Sequence, residues 1–156
     1  SICGTASVLD AIAHVERLMR AQSRWRQVEF DFIMPPASVH VAMTSDKLVQ
    51  ILLNLCLNSC VAMAGAGKLS LSWEQVDSCI EIYVDDSGPG VPEELRREIF
   101  EPFFTTREAG EGTGLGLSVC ESILHSVDGT IGVETSPLEG ARFVISLAGQ
   151  GLEDSQ

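Results

Sequence analysis

Asn54 and Asn58 stand one helical turn apart inside an otherwise apolar run from Leu48 to Met63. Leu48, Val49, Ile51, Leu52, Leu53, Leu55, Leu57, Val61 and Met63 make this segment apolar nearly all the way round, the pattern of a buried helix. At about 100° per residue the two asparagines are only about 40° apart, and Lys47 and Gln50 fall on the same narrow stripe. A buried amide without partners costs roughly 1–3 kcal/mol. Either the amides close onto neighbouring backbone, or the stripe faces polar atoms that a core cannot supply. An aligned pair favours the second reading more than a single asparagine would, and the segments downstream decide between them.

At 156 residues the chain fits one domain with a proper core. Its apolar fraction of 45% argues against disorder. No apolar stretch reaches the roughly 18–20 residues of a membrane span, and no basic segment followed by an apolar one marks a signal peptide. A cytoplasmic domain is expected, and an upstream membrane anchor in a longer parent is compatible with the sequence. The formal net charge of −12, with ten basic residues among 22 acidic ones, works against nucleic-acid binding. It also means that a polyphosphate ligand must be met locally, by backbone N–H groups, a metal ion and a few cations. Cys3, Cys56, Cys60, Cys79 and Cys120 are odd in number and contain no C-x-x-C, so they read as free thiols in a reducing compartment. His14, His40 and His125 show no metal-ligand spacing.

The periodicities predict a helix from about Val8 to Gln22 with Ser7 as N-cap, and a strand over Val28–Ile33 stopped by Pro35-Pro36. A short strand near Val39–Ala42 follows, then the asparagine helix, capped by Thr44 or Ser45 and ended by Gly65 and Gly67. Leu69, Leu71 and Trp73 alternate with polar residues, as do Ile80, Ile82 and Val84, and Gln75–Ser78 suits the hairpin between them. A short helix over Glu93–Ile99, a mobile Thr105–Gly112 and a helix near Leu115–His125 come next. Strands over Thr130–Thr135 and Ala141–Leu147 close the domain. One-sided alternation calls for a covered sheet, hence an α/β two-layer sandwich: a mixed, mostly antiparallel sheet of about five strands under three helices. The domain is expected to span residues 1–148, with 149–156 as a loose tail.

Two glycine clusters follow the asparagines. Asp85-Asp86-Ser87-Gly88-Pro89-Gly90 comes directly after the strand ending at Val84. Its glycines let backbone approach a flat ligand, and the Asp86 carboxylate can accept from an exocyclic amino group such as adenine N6. Gly112-Thr113-Gly114-Leu115-Gly116-Leu117 leads into a helix, so its freed N–H groups and the helix dipole suit an anion. It fits neither the dinucleotide fingerprint nor the G-x-x-x-x-G-K-[ST] phosphate loop. Between them, Phe100-Glu101-Pro102-Phe103-Phe104 abuts a charged, Gly-rich stretch and reads as the anchored base of a lid, from which Arg107 could reach a terminal phosphate.

In this order the segments resemble the N box (Asn54–Asn58), G1 box (Asp86–Gly90), F box (Phe100–Phe104) and G2 box (Gly112–Leu117) of the ATP-binding catalytic domain of bacterial sensor histidine kinases. That domain shares the Bergerat-type ATPase superfamily with DNA gyrase, Hsp90 and MutL, and the resemblance runs from about Val8 to Leu147. It implies that Asn58 binds the Mg²⁺ bridging the phosphates of ATP and that Asn54 supports the phosphates or a metal water. It further implies that Asp86 bonds adenine N6, that Gly88 and Gly90 shape the pocket floor beside Phe104, and that Gly112, Thr113, Gly114, Leu115, Gly116 and Leu117 cradle the phosphates with Arg107. Relatives that hydrolyse ATP carry a Glu one turn before the metal asparagine. An amide cannot take a proton at neutral pH, so Asn54 disfavours water activation and favours phosphotransfer to a histidine imidazole.

The implied activity is transfer of the γ-phosphate to a histidine on a separate dimerisation domain of a longer parent, with a response regulator downstream and this piece monomeric. His14-Val15-Glu16-Arg17-Leu18 lacks the proline of a phosphoacceptor motif and falls where the catalytic domain's own first helix belongs. Asp128-Gly129 replaces a common Gly-Gly pair. Ala62 stands where some relatives carry a basic residue, leaving Arg96, Arg97 and Arg107 as candidate phosphate cations. The alternatives are a serine/threonine kinase of the same fold, of the anti-sigma factor type, and a non-catalytic ATP-binding scaffold.

Overall fold

The computed structural model describes residues 4–104 and 116–150. Its elements are β1 (Ala6–Ser7), α1 (Val8–Arg20), β2 (Gln27–Phe32), β3 (His40–Val41), α2 (Ser45–Ala62), β4 (Ala66–Val76), β5 (Cys79–Asp86), α3 (Gly116–His125), β6 (Thr130–Thr135) and β7 (Ala141–Gln150). In α1, Val8, Ala11, Ile12, Val15 and Met19 form the buried stripe, at the i, i+3, i+4, i+7 spacing of one helix face. Ser7 Oγ accepts from the Asp10 N–H at 3.2 Å and so caps the start of the helix. The helix stops two residues before the expected Gln22, with Ala21 as its C-cap.

The sheet runs β1-β3-β7-β5-β4-β2, with β6 also paired to β7. Only β2 against β4 is parallel among these pairings. The five longer strands are those expected from the alternation, β3 is the short strand expected near Val39–Ala42, and β1 adds two residues. Register places Trp73 beside Ile82, Leu71 beside Val84, and Val84 beside Phe143, so one face is continuously apolar. Helices α1, α2 and α3 cover that face, with α2 between and in contact with both others. Leu48, Ile51, Leu52, Leu55 and Cys56 of α2 are fully buried there.

Three departures from the sequence pattern have local causes. Helix α2 ends one turn ahead of its glycines: the Gly65 N–H reaches Cys60 O at 3.0 Å and the Ala64 N–H reaches Val61 O at 3.0 Å. This is a Schellman closure in which Ala64, at φ 55°, takes the left-handed position usually filled by glycine. The segment over Glu93–Ile99 forms two 3-10 turns, Glu93–Leu95 and Glu98–Phe100, because so short a stretch cannot offset the cost of helix nucleation. Strand β7 continues to Gln150, whose Cα pairs with that of His40, as Gly149 does with Val41. At the end of α3, Asp128 adopts φ 59°, the conformation that the usual Gly-Gly pair would supply.

Candidate functional site

Strand β5 turns Ile80, Ile82, Val84 and Asp86 toward the helices, so period-2 alternation carries a carboxylate to the end of an apolar row. Asp86 is only 1% exposed. Its Oδ1 accepts from the N–H groups of Gly88 at 2.9 Å and Ala141 at 3.1 Å. Of the described hydrogen bonds none ends on Oδ2.

Asp85, one residue earlier, faces the opposite way and does different work. Arg142 holds it with both Nε (2.8 Å to Oδ1) and Nη2 (3.1 Å to Oδ2), and Ser136 Oγ donates to Oδ1 at 2.8 Å. The hydrogen bond to Asp85 raises the Arg142 pKa above the ordinary arginine value. This cluster ties β5 to β7 and fixes the strand end from which Asp86 projects.

The turn after Asp86 is pinned to the end of α2. Ser87 Oγ accepts from the Lys68 N–H at 2.9 Å and donates to Met63 Sδ at 3.5 Å. A Cβ on Gly88 would stand 3.2 Å from Met63 Cγ, and Gly90 sits at φ 76°. Gly90 is therefore required by the path of the chain, and a side chain at Gly88 would need Met63 and Asp86 to give way slightly. From the other side, the Gly140 N–H donates to the carbonyl of Asp86 at 3.1 Å.

Helix α2 brings the remaining groups together. Asn54 is half-buried, and its Nδ2 donates to Cys120 Sγ of α3 at 3.8 Å. Asn58 lies one turn further along, half-buried, between Asn54, which touches α3, and Met63, which touches the Asp86 turn. Lys47 and Gln50, on the same stripe, are exposed. Burial raises the Cys120 thiol to about 11 and the Cys60 thiol to about 12, the latter also through the Asp86 charge, and raises Cys56 further. These thiols are neutral at physiological pH and are not nucleophiles.

Of the glycine-cluster and lid residues, Arg107, Gly112, Thr113, Gly114 and Leu115 lie outside the described residues. Gly116 opens α3 with open space where a Cβ would go, and Leu117 packs against the core. Phe104 also packs on the core, while Phe103 is 73% exposed at φ 66°. Phe100 anchors this segment edge-to-face on Phe143, with ring centroids 6.5 Å apart. Arg96 is committed elsewhere: Nε donates to Val91 O at 3.1 Å and Nη2 to Thr135 Oγ1 at 3.0 Å, so it staples its loop to β6. Arg97 is exposed. A cavity of about 270 Å³ lies between the start of α2 and the end of α3, lined by Thr44, Lys47, Ile123 and Val127, away from Asp86. Sequence reasoning missed Gly140 and Cys120, and the local signals for them are only a turn before a strand and an apolar helix position.

With this geometry in place, comparison with known proteins is decisive. Residues 43–150 match the model of the histidine kinase-, DNA gyrase B- and HSP90-like ATPase family. The chain belongs to that family. Within it, this ATPase domain is 30% identical to the catalytic domain of histidine kinase ThkA, with a TM-score of 0.84 over 95% of this chain and 96% of that one. It is also 32% identical over 148 residues to the sensor histidine kinase ZraS of Klebsiella oxytoca, covering 94% of this chain and 32% of that protein. The signal transduction histidine-protein kinase AtoS of Escherichia coli K12 is 35% identical over 135 residues, covering 85% of this chain and 22% of that protein. The ATPase domain thus spans a third or less of the length of these two curated relatives. By sequence and structure it is an ATP-binding catalytic domain of the histidine kinase type.

Proposed function

We propose that this domain binds Mg-ATP and transfers the γ-phosphate to a histidine on a separate domain of a longer kinase. Asp86 carries the reading. A buried carboxylate whose Oδ1 is clamped by two backbone N–H groups has its other oxygen set to accept from the exocyclic amino group of adenine. The two asparagines, by their chemistry, fit a hard cation: neutral amide oxygens complete a shell of phosphate oxygens and water around Mg²⁺. Asn58, with Asn54 beside it, would hold that ion, which when bound neutralises charge on the phosphates. Gly112–Leu117 would cradle the phosphates, with Arg107 at the terminal one and Phe104 beside the pocket.

Neither asparagine can take a proton from water. The neutral imidazole of a histidine needs no base to attack. Its nitrogen bonds to the γ-phosphorus as the bond to the ADP oxygen breaks, and the domain contributes alignment and charge stabilisation. The solved complex of histidine kinase ThkA with response regulator TrrA, 28% identical with a TM-score of 0.78, supports a response regulator as the next phosphate acceptor. Among the described residues no helix is long and apolar enough to cross a membrane. We place the domain in the cytoplasm, where ATP is supplied, with any membrane anchor elsewhere in its parent.

Titration with a fluorescent ATP analogue, with and without Mg²⁺, tests the binding. Mixing with a histidine-bearing dimerisation domain and labelled ATP tests the transfer. Acid-labile label on that domain is expected. Acid-stable label, or no magnesium-dependent binding, overturns the proposal.

A further inference from the structure

Among the described hydrogen bonds the Asn54 side chain has one, to Cys120 of α3, with its amide nitrogen toward the sulfur. Cys120 is 0% exposed in the body of α3, whereas Asn54 is half-buried on α2. The Nδ2–Sγ distance of 3.8 Å puts the amide nitrogen on the protein side. An amide is planar, so with Nδ2 turned to sulfur its Oδ1 points away from α3. A sulfur in that position is a weak acceptor for an N–H.

We propose that Cys120 is a positioning residue that orients Asn54 so that its carbonyl oxygen, rather than its N–H₂, is presented to a divalent cation or to that cation's water. The inference rests on the nucleotide reading above and deepens it: Asn54 serves the metal rather than donating to a phosphate. The contact also joins α3, the helix that follows the Gly-rich segment, to α2, so the two helices set the amide together.

The test measures the half-saturating Mg²⁺ concentration at fixed fluorescent ATP analogue, and analogue affinity in EDTA, for wild type, Cys120→Val, Cys120→Ala and Cys120→Ser. Val and Ala both lack an acceptor but differ in volume, while Ser keeps one. A rise of about three- to ten-fold in half-saturating Mg²⁺ is expected for both Val and Ala, the size of one weak hydrogen bond. Ser should stay within about two-fold of wild type, and affinity in EDTA should change less than about two-fold in all three. Thermal melts identify any variant that does not fold, and the remaining acceptor-free variant then carries the comparison. Unchanged or lower half-saturating Mg²⁺ in the acceptor-free variants overturns the inference. So does an equal loss with and without metal, which would mean that Cys120 only packs. Failure of wild type to bind the analogue would instead overturn the nucleotide reading itself.

Discussion

Gly140 lies against Asp86 so closely that any side chain there would displace the site. A Cβ on Gly140 would land on Asp86 Oδ1 and the Asp86 carbonyl oxygen, and 2.6 Å from Gly88 N. Gly140→Ala must therefore push β5 and β7 apart where Asp86 projects. Overpacking of this kind costs about 1–3 kcal/mol, and here the atoms in the way are backbone. The expected outcome is a lower thermal midpoint together with loss of ATP-analogue binding at temperatures where the variant is still folded.

Asp86 and Asp85 are adjacent and should fail in opposite ways. Asp86→Asn keeps an oxygen to accept from Gly88 and Ala141 but puts an N–H₂ at the position of Oδ2, which in the proposed function would accept from the adenine amino group. Two donors facing each other cost roughly 1–3 kcal/mol, so ATP affinity should fall about ten-fold or more with little change in thermal midpoint. Asp85→Ala leaves the partly buried Arg142 guanidinium without its carboxylate, for a loss of about 3 kcal/mol in stability. Nucleotide affinity of the folded protein should be preserved. Paired melting and titration curves separate the two.

Ala64→Gly should stabilise the domain. Ala64 closes α2 at φ 55°, where a Cβ costs about 1–2 kcal/mol, partly offset by the greater freedom of glycine in the unfolded chain. A gain of about 0.5–1 kcal/mol is expected from urea unfolding, with unchanged nucleotide affinity.

The buried thiols predict alkaline sensitivity. Burial raises the Cys120 thiol to about 11 and the Cys60 thiol to about 12 from an ordinary value of 9.0, and raises Cys56 further. The folded state thus holds protons that the unfolded chain releases above about pH 9, so stability is fully present below that pH and falls as pH rises toward the folded values. The slope is up to about 1.4 kcal/mol per pH unit for each thiol. Melting curves from pH 7 to 10.5 should be flat and then decline, and Cys56→Ala with Cys60→Ala should flatten the decline.

The sequence made legible what depends on local period. The apolar run around Asn54 and Asn58 announced a buried helix with one polar stripe, and the alternation of Ile80, Ile82 and Val84 told that Asp86 rather than Asp85 faces the helices. It could not show which distant backbone clamps Asp86. Gly140 and Ala141 arrive there only through the β5–β7 register, and nothing in Pro137–Ala141 beyond a turn signal points to a carboxylate. Cys120 was hidden because a cysteine on an apolar helix face looks like core, which by burial it is. The cap at Ala64 went unread because glycines stood next to it, and a strand as short as β1 carries no period, whereas β3 was legible as the short strand near Val39–Ala42.

The pairing at the edge of the sheet has a topological consequence. Ser7 lies beside His40, and His40 lies beside Gln150, so the first described strand and the end of the last are separated by a single strand. Neighbouring strands are about 5 Å apart, which puts the two points of entry and exit within about 10 Å of each other. The first described strand and the end of the last thus meet at one corner of the sheet, so the described fold is closed by residues far apart in sequence and near in space.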